Sequence, residues 1–322
     1  MLIETVPVGD VGNAADTRVM VVGSPTTGYG RVDYAYSIGK YEVTAGQYTA
    51  FLNAVGGVDN YSLYNTNMSE TGSGGGIARA GSGTVGDPYT YSVAADCINR
   101  PVSHVSFWDA CRFANWLENG QPIGAQGPGT TETGTYTLTA TAIANNAVTR
   151  NPGTTWAVTG EDEWYKAAYY KGGGINAGYW LYPTRSDSAP GQDIADVSGN
   201  NANYWTGLGP YPPNPIDSGH YTTSVGEFQN SASPYGTFDQ GGNIYEWNDA
   251  IIFESFFPSS RGMRGGSWNN DNNYLRADNR YDYYPTLENG SLGFRVSQVP
   301  EPASIALLSL GFTGLLGRRR GV

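Results

Sequence analysis

Residues Met263 to Val296 read MRGGSWNNDNNYLRADNRYDYYPTLENGSLGFRV, and the residue types in this stretch decide the fold. Gly265 and Gly266 let the backbone turn, or approach a neighbour where a side chain would clash. Leu292-Gly-Phe-Arg-Val296 closes the stretch as a short buried strand. Between the two ends lie Asn269, Asn270, Asn272, Asn273 and Asn279, then Arg276 and Arg280 four apart, then Tyr281, Tyr283 and Tyr284. Asparagine tolerates left-handed backbone and bonds to its own chain, so the composition predicts ordered polar loops rather than a helix.

Four segments upstream fit around it. Gly236 to Trp247 reads GTFDQGGNIYEW, and Glu161-Asp-Glu-Trp164 opens a short helical pattern. Pro101-Val102 leads into a longer one ending at Trp116, and Ile38-Gly-Lys-Tyr-Glu-Val-Thr44 reads as a strand that runs into a helix cap. In this order, and together with the double-glycine stretch, they resemble the formylglycine-generating, sulfatase-modifying family, whose domain is a variant of the C-type lectin-like fold. The resemblance implies an α+β, loop-rich domain over residues 33–298, with insertions at about 57–96 and 119–153. It leaves residues 1–32 as an N-terminal segment and 299–322 as a tail.

The 322-residue chain has 45 Gly and 24 Tyr against only 18 Lys and Arg together, a balance expected of a loop-rich exported protein. Its net charge of -11 understates the acidity of the folded part. Setting aside the tail, with Arg318, Arg319, Arg320 and Glu301, leaves 15 basic and 28 acidic side chains. Such a surface repels phosphate backbones, which excludes nucleic acid as a partner, and serves solubility. The two cysteines, Cys97 and Cys111, and two histidines, His104 and His220, exclude a zinc cluster of the usual Cys and His type. They also exclude the three-histidine iron site of the family's sulfoxide-synthase relatives. In an exported chain Cys97 and Cys111 either pair as a disulfide or stay as small buried hydrophobes.

No basic region followed by an apolar run marks the N-terminus, so a signal peptide is expected upstream of Met1. Tyr34 to Val43 alternates as a strand does. Thr44 and Gln47 form a capping box, and Tyr48, Phe51, Leu52 and Val55 follow at helical spacing up to Gly56-Gly57. The Gly and Ser-rich run that follows predicts a flexible surface excursion, with a hairpin around Tyr89 to Tyr91. Ser106 caps the next helix, with Asp109 at its third position and Cys111 in the buried stripe. Strict alternation over Thr133 to Thr141 predicts a strand. Thr159 or Gly160 starts a helix whose Glu161, Asp162 and Glu163 sit at its positive end. His104 is expected to be a hydrogen-bonded structural residue, and His220 to lie in a surface loop.

The tail differs in kind. Pro300-Glu-Pro302 precedes an apolar run from Ala303 to Gly317 and three arginines, which resembles the PEP-CTERM sorting signal of bacterial exported proteins. The resemblance implies an exosortase-type sorting protease as partner. It also implies a location at the cell surface, outer envelope or extracellular matrix, with inner-membrane anchoring through the tail.

In the active enzymes of the resembled family, two cysteines after the Gly-Gly-Ser turn bind copper(I). Here that loop is Asn269 to Leu275 and has no cysteine, and carboxamides do not replace soft thiolates, so no copper is expected. Carried over residue by residue, the family's structural calcium sites fall on Asn203, the Tyr204 carbonyl, Asp217 and the Gly219 carbonyl, and on Asp239, the Gly242 and Ile244 carbonyls and Glu246. These are the hard oxygens calcium takes. Two classes of function follow. One is a binding or structural module whose face is Ser267, Trp268, Asn270, Asn272, Tyr274, Arg276, Arg280, Tyr281 and Tyr283, a Tyr and Asn mixture suited to an extracellular polysaccharide or a surface protein. The other is an enzyme of the formylglycine-generating family, oxidase or divergent metal-dependent.

Overall fold

Helix α1 (Ala45–Val55) begins where the Thr44 hydroxyl accepts from the Gln47 backbone and the Gln47 side chain answers on the Thr44 N–H. It ends as Gly56 bonds back to the Leu52 carbonyl. Helix α2 (Phe107–Glu118) opens on the same device, built from Ser106 and Asp109. The two helices meet through aromatic rings: Phe51 lies edge-on to Phe113 at 5.4 Å, and Phe113 edge-on to Phe294, also at 5.4 Å. Such pairs add about 0.5–1.5 kcal/mol beyond the area they bury. The computed structural model describes residues 1–20, 26–208, 210–217, 219–252 and 259–299.

The strand expected at Thr133 to Thr141 is not formed. The alternation is real, since Tyr136 and Leu138 are buried, but Asn115 of α2 takes the place of a partner strand. Its side chain accepts from the Tyr136 N–H at 2.7 Å and donates to the Tyr136 carbonyl at 2.9 Å. Thr139 then caps a short helix, α3 (Ala140–Ala144), which turns the chain out of extended geometry. Helix α4 (Glu161–Tyr169) follows from Gly160, whose N–H donates to the Glu163 carboxylate. Trp164, Ala167 and Ala168 are buried as their spacing requires.

The strands are β1 (Thr5–Val8), β2 (Tyr36–Gly39), β3 (Ile77–Ala80), β4 (Thr90–Val93), β5 (Trp156–Val158), β6 (Tyr245–Ile252), β7 (Ser260–Arg264), β8 (Tyr281–Tyr283), β9 (Leu292–Phe294) and β10 (Val296–Gln298). One antiparallel sheet runs β1-β2-β10-β5. β1 begins this sheet ahead of Asp33, the boundary suggested by sequence pattern. A second sheet runs β8-β7-β6-β9, with β6 and β9 parallel. The Leu-Gly-Phe-Arg-Val stretch is thus two strands. Arg295 separates them, and its buried side chain passes the chain from one sheet to the other.

The Gly and Ser-rich insertion is not a loose excursion. β3 and β4 form the expected hairpin, and the run ahead of it is tied down by its backbone, with Gly74 and Gly76 both donating to the Glu70 carbonyl. Gly74 admits nothing larger, because an added Cβ would stand 2.0 Å from the Asn67 carbonyl oxygen.

Candidate functional site

Charge is buried in this fold in quantity, and where it gathers marks the sites. Fully buried Arg295 pairs with Glu246, Nε to Oε2 at 2.5 Å and Nη2 to Oε1 at 2.6 Å, and the Trp164 indole also donates to that carboxylate. Two more carboxylates stand near the same guanidinium. Glu42, in the segment joining β2 to α1, accepts from the Asn243 amide at 3.1 Å with Oε1, while Oε2 is buried without a hydrogen-bond partner among the described residues. Asp239, at a left-handed φ of 61°, accepts from the Gly226 N–H at 2.6 Å. Burial, then the charge of Asp239, pushes the Glu42 carboxyl well above its usual range, and burial pushes Asp239 up to about 6. Three acids against one arginine leave negative charge that protein groups do not balance.

This is the second of the two calcium positions carried over by resemblance, with Asp239, Gly242, Ile244 and Glu246. Its oxygens are of the hard kind calcium takes, although both Glu246 oxygens are already held by Arg295, which leaves Glu42 and Asp239 as the carboxylates with spare capacity. Glu42, which the resemblance did not assign, brings its orphaned oxygen to the same cluster. The first position fits poorly. Asp217 is ion-paired with Arg100 at 2.5 Å. The Asn203 side-chain nitrogen donates to the Tyr221 carbonyl at 2.8 Å, and the Tyr204 carbonyl accepts from Gln192. Gly219, at φ 83°, supplies a turn.

The expected binding face divides into a buried floor and an exposed rim. Ser267 is buried, and its hydroxyl bonds the Asn269 and Asn270 side chains, the first at 2.7 Å. Trp268 stacks on Tyr221 with centroids 4.3 Å apart, and its indole N–H donates to the Gly290 carbonyl. Asn272 starts a single 3-10 turn to Leu275, with Tyr274 half-buried inside it. Arg276 pairs with its neighbour Asp278 at 2.6 Å, and Arg280 reaches Glu161 at 2.8 Å, so neither guanidinium is free for a ligand. Tyr281, Tyr283 and Tyr284 stand at 37 to 42 % exposure and form the rim.

Glu161 and Glu163 do more than complement the start of α4. Glu161 accepts from both Arg264 and Arg280, and Glu163 is paired with Arg150 at 2.7 Å. Both line a cleft with Asp162 and Asp249, but each is held by arginine rather than poised as an acid and base pair.

The cysteines do not meet. Cys111 is a free thiol in the α2 core, packed around Phe107 and Phe113, and Cys97 is a free thiol on the turn after β4. The disulfide left open by the sequence is therefore absent, because each thiol is held by a different element. Cys97 instead lies 4.0 Å from His220, which is buried rather than in a surface loop. His104 is also buried, at φ 56°, but neither ring nitrogen has a partner among the described residues, contrary to the hydrogen-bonded role expected of it.

The profile of the sulfatase-modifying factor enzyme 1-like domain matches residues 5–299. The chain belongs to this family. Residues 298–320 match the PEP-CTERM protein-sorting motif, which marks the protein for export and surface sorting. Among solved structures, the fold is similar to that titled "Crystal Structure of CarF", at 20% identity, TM-score 0.53, covering 93% of this chain and 99% of that one. It is similar to Treponema denticola variable protein 1 at 20% identity and TM-score 0.52, covering 92% and 95%. No curated protein sequence matches the chain. The tail's apolar run and arginines lie outside the described residues, and among the described residues no helix is long and apolar enough to cross a membrane.

Within this family frame, Glu42 is the buried carboxylate of the cluster that motif comparison misses. The one signal for it in the sequence is a carboxylate between Tyr41 and Val43, just ahead of the Thr44 helix cap.

Proposed function

We propose that this sulfatase-modifying-factor-like protein is a binding or structural module of the cell surface, held together by one structural calcium ion. The observation that carries this reading is the loop after Gly265-Gly266-Ser267-Trp268, where hydroxyl and carboxamide groups bond one another and no thiol stands in the sequence. Copper(I) does not fit that donor set. Next to the closed floor, the three tyrosines of the rim offer stiff amphipathic rings, a chemistry that suits sugar faces or a protein surface. The sorting motif supports an exosortase-type protease as the partner at the tail, with the inner membrane as a stage of its route.

Calcium is assigned to the cluster of Glu42, Asp239 and Glu246, with the Gly242 and Ile244 carbonyls, and not to the position around Asn203 and Asp217. Its role is to neutralise buried charge.

The test is a pair of assays on the purified protein. Binding to extracellular polysaccharide from a bacterium that carries this sorting system is expected, with loss on Tyr281→Ala/Tyr283→Ala/Tyr284→Ala. Incubation of a thiol-containing sulfatase-type peptide with copper and oxygen is expected to yield no formylglycine by mass spectrometry. Turnover of that peptide would overturn the proposal in favour of the oxidase.

A further inference from the structure

We propose that Asp96, Cys97 and His220 form a binding site for a zinc-class divalent cation, separate from the calcium cluster. Asp96 and Cys97 are neighbours on one turn and His220 comes from more than a hundred residues later, and the fold brings one carboxylate oxygen, the thiol sulfur and a ring nitrogen all within 4.8 Å of one another. Counting only sulfur and nitrogen donors had excluded zinc. The third ligand is a carboxylate.

Each ligand is held by its own backbone. The Cys97 N–H donates to the Ala94 carbonyl at 2.9 Å and its carbonyl accepts from Arg100 at 3.0 Å, which fixes the turn that carries the thiol. His220 donates its N–H to the Asp217 carbonyl at 3.0 Å, and Tyr221 beside it donates to the Gly72 carbonyl at 3.0 Å. Gly76, at φ 66°, makes room for the sulfur, since a Cβ there would stand 2.9 Å from it.

The imidazole has the orientation that metal-bound histidines take. Its Nδ1 lies 2.7 Å from the Thr71 carbonyl, an acceptor only, so Nδ1 carries the proton and Nε2 is left to coordinate. Nε2 is 3.2 Å from the Asp96 carboxylate. Zinc bonds of about 2.3 Å to sulfur and 2.0–2.2 Å to nitrogen and oxygen place tetrahedral ligand atoms roughly 3.3–3.6 Å apart. The carboxylate and the imidazole are already near that spacing, while the sulfur, 4.0 Å from Nδ1 on the same ring, has to swing toward Nε2 when the ion binds.

Thiolate and carboxylate together balance a doubly charged ion. Sulfur and nitrogen donors disfavour calcium, and a carboxylate disfavours copper(I). Cys97 and His220 are buried while Asp96 is 66% exposed on its side chain, so the ion enters past Asp96 and its fourth position opens toward solvent. Three protein ligands with one open position is the arrangement of a zinc ion that binds water or an incoming ligand.

The test uses the full chain, stripped of transition metals and kept in calcium-containing buffer so that the carboxylate cluster stays filled. Titration with cobalt(II) is expected to give one equivalent of tetrahedral visible bands and a near-ultraviolet thiolate-to-cobalt absorption, both displaced by zinc. Cys97→Ser removes the thiolate band, and Cys111→Ala keeps it. Asp96→Asn, at an exposed position that leaves the fold intact, weakens zinc binding at least about 10-fold. Absence of the thiolate band in the native protein, its survival in Cys97→Ser, or unchanged affinity in Asp96→Asn would each overturn the site.

Discussion

Around Glu161, two guanidinium groups share one carboxylate, whereas around Arg295 one guanidinium faces three. The first region is closed. Burial opposes ionisation of Glu161, but Arg264 and Arg280 outweigh it and hold the carboxyl below its usual range. The second is left short of positive charge, and Glu42 and Asp239 are driven upward instead. Arg150 lies between these cases: it holds Glu163 down to about 2, while burial pushes Asp249, 2.6 Å from the same guanidinium, up to about 6. One buried arginine satisfies one carboxylate, and every further acid calls for another cation.

The sharpest way to break this comparison is at the closed cluster. Glu161→Ala strands two buried guanidinium groups and is expected to cost about 3–5 kcal/mol in chemical denaturation. A loss below about 1 kcal/mol would mean that Arg264 and Arg280 do not depend on Glu161. At Glu163 the folded carboxyl titrates below its unfolded value, so its contribution is full above about pH 4.5 and is lost as the pH falls toward 2. Glu163→Gln should therefore be less stable than the native protein by about 3 kcal/mol at pH 7, with the gap narrowing on acidification. A gap that stays constant with pH would assign the loss to packing.

The open cluster gives the next largest effect. At a hundredfold excess over its Kd, calcium is expected to add about 2.7 kcal/mol of stability relative to chelator. Glu42→Gln should abolish that gain while making the chelated protein more stable. Equal melting temperatures with calcium and chelator would remove the ion from the cluster. The smallest change is expected outside all three clusters. Replacing Tyr281, Tyr283 and Tyr284 with alanine should leave stability within about 0.5 kcal/mol per site, so any loss of polysaccharide binding reads the surface alone.

What the sequence discloses follows from how local the determinants are. The caps of α1, α2 and α4 are written within four residues each, and the sequence places all three helices. Thr133 to Thr141 misleads because its alternation reports burial, and a side chain 21 residues away, Asn115, supplies the hydrogen bonds that a neighbouring strand would have given. The candidate site is less legible for the same reason. Glu42 and Asp239 meet across almost two hundred residues, as do the two arginines and Glu161 across more than a hundred, and neither pairing leaves a periodic trace. Cys97 looked like a disulfide partner because spacing alone cannot show that His220 stands beside it. The tyrosine rim, by contrast, is read directly from composition, since consecutive exposed rings need no distant partner.

The order of the strands sets a timetable for the chain's birth. β10 is an interior strand of its sheet, lying between β2 and β5, and it ends at Gln298, where the sorting motif begins. Until those last few residues leave the ribosome, β2 and β5 have nothing to join them. This sheet can therefore be completed only once the chain has been made as far as its junction with the sorting motif.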